Sequence, residues 1–177
     1  AIGRPAFIRE AACTFGSSTI VISIEAIRES NGIYLAYADN GREHTGLSAM
    51  AWAEHAAALG AGEILVTSVD REGTGSGYDI DLIQGIAARV SVPVIAHGGA
   101  GKAEDVVHAV EAGADAACLA SILHYKTAES LTKVPIIQES EGNIEFLLRE
   151  KSFAKVGRAE LPEIRDILLK HHIPCRH

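Results

Sequence analysis

The sequence has little of what marks secreted, membrane or nucleic-acid-binding proteins. Its three cysteines, Cys13, Cys118 and Cys175, are widely spaced and form neither a disulfide framework nor a zinc motif, which indicates a reducing compartment, the cytoplasm. No apolar run reaches the ~18–20 residues that span a bilayer, so we expect no membrane segment. The net charge of −7 and the lack of a Lys/Arg cluster disfavour nucleic-acid binding. No His, Cys, Asp or Glu cluster has the spacing of metal ligands, and we expect neither metal nor cofactor.

What the chain does contain is an alternation of short, continuously apolar runs with helix-like stretches. Such strands, separated by helices, predict an α/β fold with a parallel sheet. The segment 59–68 also resembles 112–121, each reading helix end, Gly-Ala, strand, Ser, and repeated βα units favour a (β/α)₈ TIM-barrel type over a doubly wound sheet. We predict four parallel strands, at 19–24, 63–67, 92–96 and 116–120.

Three further segments depart from this alternation. Two Asn-Gly pairs, at 31–32 and 40–41, flank an apolar run and predict a hairpin. Thr45 is a candidate cap for the helix that follows. The alternation of strands and helices is interrupted at 128–154, which we interpret as an insertion before a last helix at 160–171. We therefore expect residues 1–177 to form a single barrel portion.

Several polar or glycine residues fall where strands give way to loops, the position of active sites in such barrels. The Gly-Gly-Ala-Gly turn at 98–101 and Ser121, after the next strand, favour a phosphate site made of backbone N–H groups and a hydroxyl, although the glycines also suit a simple tight turn. Glu25 ends an apolar strand and is a candidate general acid or base; the alternative is a solvated carboxylate. His97 is an acid, a base, a phosphate donor or a hydrogen-bonded structural residue. The Gly-rich loop at 68–78 is either a substrate-gripping lid with glycine hinges or a solvated loop.

These motifs together resemble the cyclase subunit of imidazole glycerol phosphate synthase. The resemblance is carried by GEILVTSVDREGTGSGYD at 62–79, PVIAHGGAGK at 93–102, GADAA at 113–117, ASILH at 120–124 and IPCR at 173–176. It covers residues 1 to about 127 and 155–177, and corresponds to the C-terminal half of that family's (β/α)₈ barrel. It therefore implies a half barrel with about four parallel strands.

The resemblance also implies an activity and partners. The family takes ammonia from a glutaminase subunit and converts a phosphoribulosyl-formimino carboxamide ribotide into imidazole glycerol phosphate and an aminoimidazole carboxamide ribotide. Two aspartates serve as acid and base; one lies in the half of the barrel that this sequence does not match, and the other corresponds to Glu25. Glu63 corresponds to a glutamate of the charged ammonia gate. The implied substrate- and phosphate-binding residues are Thr67, Glu72, Gly73, His97, Gly98, Gly99, Gly101, Ala120 and Ser121.

The departures from the family leave other functions open. Glu25 replaces an aspartate, Ile27 a lysine, Glu72 an aspartate and His97 a serine. These changes suit a cyclase-like paralogue that amidates a sugar with glutaminase ammonia, a non-catalytic phosphate-binding half-barrel module, or, less closely, the sister isomerase.

Four parallel strands cannot close into a barrel. We therefore expect either a fragment of a longer polypeptide or association, for instance a homodimer, through the open edges. The strands at 19–24 and 116–120 are expected to be those edges.

Overall fold

The computed structural model describes residues 1–131 and 157–176. The predicted insertion at 128–154 lies, from residue 132 onward, outside the described residues, whereas residues 128–131 continue a helix. Across the described ranges, every helix is too short or too polar to cross a bilayer.

The described part is built on one mixed sheet of six strands in the spatial order β3-β2-β1-β4-β5-β6. Strands β1, β4, β5 and β6 run parallel, and β2 and β3 are antiparallel neighbours on the β1 side. This confirms the parallel α/β core with four parallel strands. The strands are β1 (Val21–Arg28), β2 (Tyr34–Ala38), β3 (Glu43–Ser48), β4 (Glu63–Ser68), β5 (Val94–His97) and β6 (Ala116–Ala117).

Helices alternate with the parallel strands, as the sequence pattern predicts. The Ser48 side chain accepts a hydrogen bond from the Ala51 amide and caps α2, and the Asp79 side chain caps α3 through the Leu82 amide. The last helix begins with a capping box between Glu160 and Glu163. The helices are α1 (Ala6–Phe15), α2 (Ala49–Ala58), α3 (Ile80–Ala87), α4 (Glu104–Glu111), α5 (Ser121–Leu131) and α6 (Leu161–Lys170), with a 3₁₀ turn at Ser17–Thr19.

The two faces of the sheet differ in burial. Residues on one face form the core beneath the helices: Ile24, Ala26, Ile64, Val66, Val94 and Ala96. On the other face Val21 is 48% exposed, Ser23 is exposed, and Leu65 and Ile95 are half-buried. Among the described residues, the face that would line a barrel is therefore the open one.

Two sequence expectations about the β1 side of the sheet are wrong. The edge expected at 19–24 is not the last strand, because the β2–β3 hairpin pairs with the C-terminal half of β1, Glu25–Arg28. The half of β1 that holds Val21 lies outside this antiparallel ladder. Thr45 does not cap a helix; it lies in β3 and its hydroxyl donates to the Ala36 carbonyl.

Candidate functional site

The carboxyl ends of the parallel strands bring three predicted side chains into one row. Glu25 on β1 is in register with Thr67 on β4, which is in register with His97 on β5. Residues in register on parallel strands project from the same face of the sheet. The row therefore lies on the open face, at the end of the strands where barrels of this kind hold their active sites.

Thr67 and His97 are joined by a hydrogen bond. The Thr67 hydroxyl oxygen lies 3.0 Å from His97 Nδ1, and Thr67 is only 6% exposed. This bond favours the interpretation in which His97 is oriented by a neighbour. Nδ1 of His97 is thereby engaged within the protein.

Next to this pair is a small cleft that gathers most of the predicted phosphate-binding residues. Its lining comes from the loop after β4, the glycine turn after β5 and the start of α5. The lining residues are Glu72, Gly73, His97, Gly98, Gly99, Ala100, Cys118, Ala120 and Ser121. Residues separated by about fifty positions in the chain thus lie around a single concavity.

Thr67 is a predicted binding residue that is absent from this lining, although it bonds to His97. Gly101 is absent from it as well. Its amide donates to Asp105 Oδ2 at 2.8 Å, and the Lys102 amide donates to the same oxygen at 3.0 Å. Asp105 is buried, 5% exposed, in the first turn of α4. A carboxylate of the chain itself therefore occupies the N–H group that the sequence assigned to phosphate.

The glycines of the two loops are packed against each other. The Gly77 amide donates to the Gly99 carbonyl at 2.8 Å. Gly99 has φ +108°, and a Cβ there would collide with the Gly77 carbonyl oxygen; a Cβ on Gly101 would collide with that of Gly75. At these positions the glycines allow close backbone contact, which is a different use from the hinges of a lid.

Glu25 lies inside β1, three residues before its end, and not at the strand terminus that the sequence suggested. The parallel pairing of β1 with β4 ends at Ala26. Pairing with the hairpin continues β1 to Arg28, so Glu25 is not the last residue of the strand. The Glu25 Oε2 atom accepts a hydrogen bond from the Gly41 amide at 2.7 Å. Its side chain lines a cleft of about 380 Å³ together with Tyr37, Asn40 and Trp52.

Two adjacent residues, Tyr78 and Asp79, form hydrogen bonds between the elements around the site. The sequence did not single them out as functional. Asp79 is 7% exposed and accepts from the Tyr34 hydroxyl at 2.7 Å and the Ser68 hydroxyl at 3.2 Å. The Tyr78 hydroxyl donates to the Cys118 carbonyl at 2.8 Å. Burial first, then the bond to Asp79, raises the pKa of Tyr34 above its ordinary value. The available signal is an aspartate directly after an aromatic residue in a Gly-rich loop, and a local pattern of this kind indicates no more than a helix cap.

The other predicted features are placed apart from the two clefts. Glu63 begins β4, opposite Val21 and at the far end of the strand from Thr67, where an entrance at the other mouth of a barrel would lie. No group of three His, Cys, Asp or Glu side chains within residues 1–131 and 157–176 is arranged to hold a metal ion.

Comparison with known proteins relates this chain to one family. Residues 1–129 match the family described as "Histidine biosynthesis protein". The chain is similar to imidazole glycerol phosphate synthase subunit HisF of Alkaliphilus metalliredigens, 43% identical over 84% of this chain and 58% of that protein. The protein of the same name from Symbiobacterium thermophilum is 53% identical over 70% of this chain and 49% of its own length, and that from Pyrobaculum aerophilum is 47% identical over 71% and 49%. The chain spans about half the length of the curated relatives it matches.

Proposed function

This chain belongs to the histidine biosynthesis protein family, and from that premise we propose that it supplies the phosphate-binding, Glu25-bearing half of an imidazole glycerol phosphate synthase cyclase. The reaction is ammonia-dependent cyclisation and cleavage of a phosphoribulosyl-formimino carboxamide ribotide. The observation that supports it best is the cleft beside Thr67 and His97, where the ends of three successive parallel strands meet.

The cleft suits one phosphate of such a substrate. We propose that the Gly99 region and Gly73 offer backbone N–H groups, that Ser121 offers a hydroxyl at the start of α5, and that His97 donates from Nε2. Gly101 then acts indirectly, because its amide fixes Asp105 and so the shape of the turn. Thr67 orients His97, and Glu72 and Ala120 complete the wall.

Glu25 is the proposed general acid or base of this half. It stands two strands away from the phosphate cleft, in register with Thr67, so a phosphate held in the cleft leaves the rest of an extended substrate to cross the strand ends towards the carboxylate. Proton transfer by a positioned carboxylate typically contributes ~10²–10⁴-fold in rate. Ammonia would enter from the opposite mouth past Glu63, delivered by a glutaminase subunit. We propose the cytoplasm as the compartment, because all three cysteines are free thiols.

The first test is turnover driven by ammonium salts, which needs no glutaminase. It is measured on the chain combined with a separately expressed N-terminal half of a family cyclase, which supplies the other aspartate. We expect Glu25→Gln to lower this turnover at least about 100-fold, because the amide neither accepts nor returns a proton. Glu29→Gln, on the same side of the sheet but bonded to the Tyr37 hydroxyl, is the matched control and should retain activity. Equal turnover of wild type and Glu25→Gln would remove Glu25 from the mechanism.

The second test is anion binding, measured as chemical-shift changes on titration with inorganic phosphate or sulfate. The shifts should cluster at Gly73, Gly99 and Ser121, and Ser121→Ala should weaken binding several-fold, in line with one lost hydrogen bond to a charged group. Shifts spread over unrelated surface amides would rule the cleft out.

A second function is favoured by the contact between Glu25 and the hairpin. The glutamate that Gly41 holds stands where the cyclase family has an aspartate, and this departure suits a cyclase-like paralogue that amidates a sugar. Such a paralogue would bind phosphate and consume ammonia but leave the ribotide substrate unchanged. A non-catalytic module would bind phosphate and consume no ammonia with either substrate.

A further inference from the structure

The turn between β2 and β3 touches the carboxylate of Glu25, the proposed acid or base. Its tip, residues 39–42, contains three consecutive left-handed residues: Asp39 with φ 50°, Asn40 with φ 56° and Gly41 with φ 75°. The Arg42 amide closes the turn on the Ala38 carbonyl at 3.0 Å. Asp, Asn and Gly are the residues that tolerate this conformation, so the sequence specifies the turn locally.

The turn directs a single amide at Glu25. The Gly41 amide donates to Glu25 Oε2 at 2.7 Å, a charge-assisted hydrogen bond to a half-buried carboxylate. This bond engages one of the two oxygens, so exchange of a proton with a ligand would run through Oε1. We propose that the β2–β3 turn is a positioning element that fixes the Glu25 carboxylate, with Gly41 as the positioning residue; this inference rests on the proposed function, in which Glu25 is the acid or base.

The turn is itself pressed against a fixed surface. A Cβ on Gly41 would lie 3.0 Å from Val69 Cγ1 and 3.3 Å from Cγ2. Val69 cannot easily move away, because its amide donates to the Ala26 carbonyl at 3.0 Å, and the next residue, Asp70, accepts from the Arg28 amide at 2.8 Å. A side chain at position 41 would therefore push the turn, and its amide, away from Glu25.

The length of Glu25 also fits this arrangement. Removing one methylene withdraws the carboxylate by ~1.5 Å, so an aspartate at this position would lie beyond hydrogen-bond reach of Gly41. The length of the side chain at position 25 thus matches the position of the turn. We expect the Glu25 carboxylate to lose its fixed position when the turn is displaced. We expect the Gly41 amide to lose its acceptor when the side chain at position 25 is shortened.

The experiment uses the full chain and compares four variants with wild type. Glu25→Asp tests the bond, and Gly41→Ala displaces the turn. Gly46→Ala is the matched control, since Gly46 has the same φ of +75° but nothing within 4 Å of a Cβ. The double variant Gly41→Ala/Val69→Ala removes the valine methyl groups that obstruct a Cβ at position 41 and should allow the turn to return.

The first readout is hydrogen exchange of the Gly41 amide by NMR, which requires no substrate. We expect exchange about tenfold faster in Glu25→Asp than in wild type, as for the loss of one net hydrogen bond. An unchanged exchange rate would overturn the proposal, whatever the activity of the chain.

The second readout is ammonium-driven turnover. Gly41→Ala should lower kcat about tenfold or more with little change in KM, because a displacement of ~1 Å at the reacting group suffices for such a loss. The double variant should recover most of it, and Gly46→Ala should match wild type. A Gly41→Ala enzyme with wild-type kcat, or an equal loss in Gly46→Ala, would refute the positioning role. Absence of turnover in wild type would refute the proposed function instead, while the exchange rates would still decide whether the turn holds Glu25.

Discussion

Tyr78 makes the stability of the protein sensitive to alkaline pH. Its ring is 3% exposed, and burial, followed by the nearby Cys118 and Asp105, raises its pKa above the ordinary value of about 10. The unfolded chain loses this proton near pH 10 while the folded chain keeps it. The stabilisation is therefore complete below pH 10 and decreases as pH rises above it, by about 1.4 kcal/mol per pH unit for this group.

We expect Tyr78→Phe to have a shallower decline in unfolding free energy above pH 10 than wild type. At neutral pH the variant should be less stable by about 1 kcal/mol, because the Cys118 carbonyl loses its donor. Urea denaturation at several pH values between 7 and 11 measures both effects. Parallel curves for the two proteins would contradict the assignment.

At the scale of single residues, the sequence predicts which residues meet at the ends of neighbouring strands. It predicts less well which residues form hydrogen bonds between elements distant in the chain. His97, Gly99 and Ser121 line one cleft, and the register that relates them is readable from apolar runs and the residues that follow them. The bond between Gly41 and Glu25 was not foreseen, since it depends on how a hairpin folds back over β1. Asp79 and Tyr34 are 45 residues apart, and no local pattern connects them.

Among the elements, Asp79 joins a helix to two strands that are distant in the chain. Its carboxylate caps α3, accepts from Tyr34 on β2 and accepts from Ser68 on β4. We expect Asp79→Ala to lower the free energy of unfolding by about 2–4 kcal/mol, since a cap is lost and two buried hydroxyls lose their acceptor.

Chemical denaturation of Asp79→Ala is best compared with Asp81→Ala. Asp81 lies two residues away, is exposed, and forms a 3.4 Å ion pair with Arg28, which is worth no more than about 1 kcal/mol. Equal losses in the two variants would show that Asp79 does not connect these elements.

The order of helices and parallel strands was predictable, whereas the limits of the hairpin were not. The apolar run at 63–67 predicts β4, because that pattern is local. Segment 43–48 is polar and contains a threonine, so it resembled the start of a helix; pairing with β2 makes it a strand instead. The same pairing extends β1 to Arg28 beyond the parallel ladder.

For the whole molecule, the sheet has open strand edges on both sides and one open face within the described residues. Strand β6 ends the sheet on one side. On the other side β3 is the last strand, and the half of β1 containing Val21 extends past the hairpin. Open ladder groups beside an exposed apolar face favour pairing with another chain. A two-fold arrangement would satisfy both surfaces by an isologous contact.

We therefore expect light scattering at micromolar concentration to give a mass above the 18.7 kDa of one chain. Val21→Lys should shift the distribution towards the monomer by placing a charge on the open edge. Leu161→Lys, at an exposed leucine that begins α6, is the control. A well-folded monomer in which β1 and β6 remain accessible would contradict the expectation.

The cleft that contains Glu25 has an optical property that follows from its lining. Trp52, which forms part of its wall, is the single tryptophan among the 177 residues. Light absorbed only by indole is therefore emitted from this cleft and from nowhere else in the chain. Because Trp52 is 5% exposed, its emission should be that of an apolar environment. A ligand that enters beside Glu25 should change this emission in the native protein without any added label.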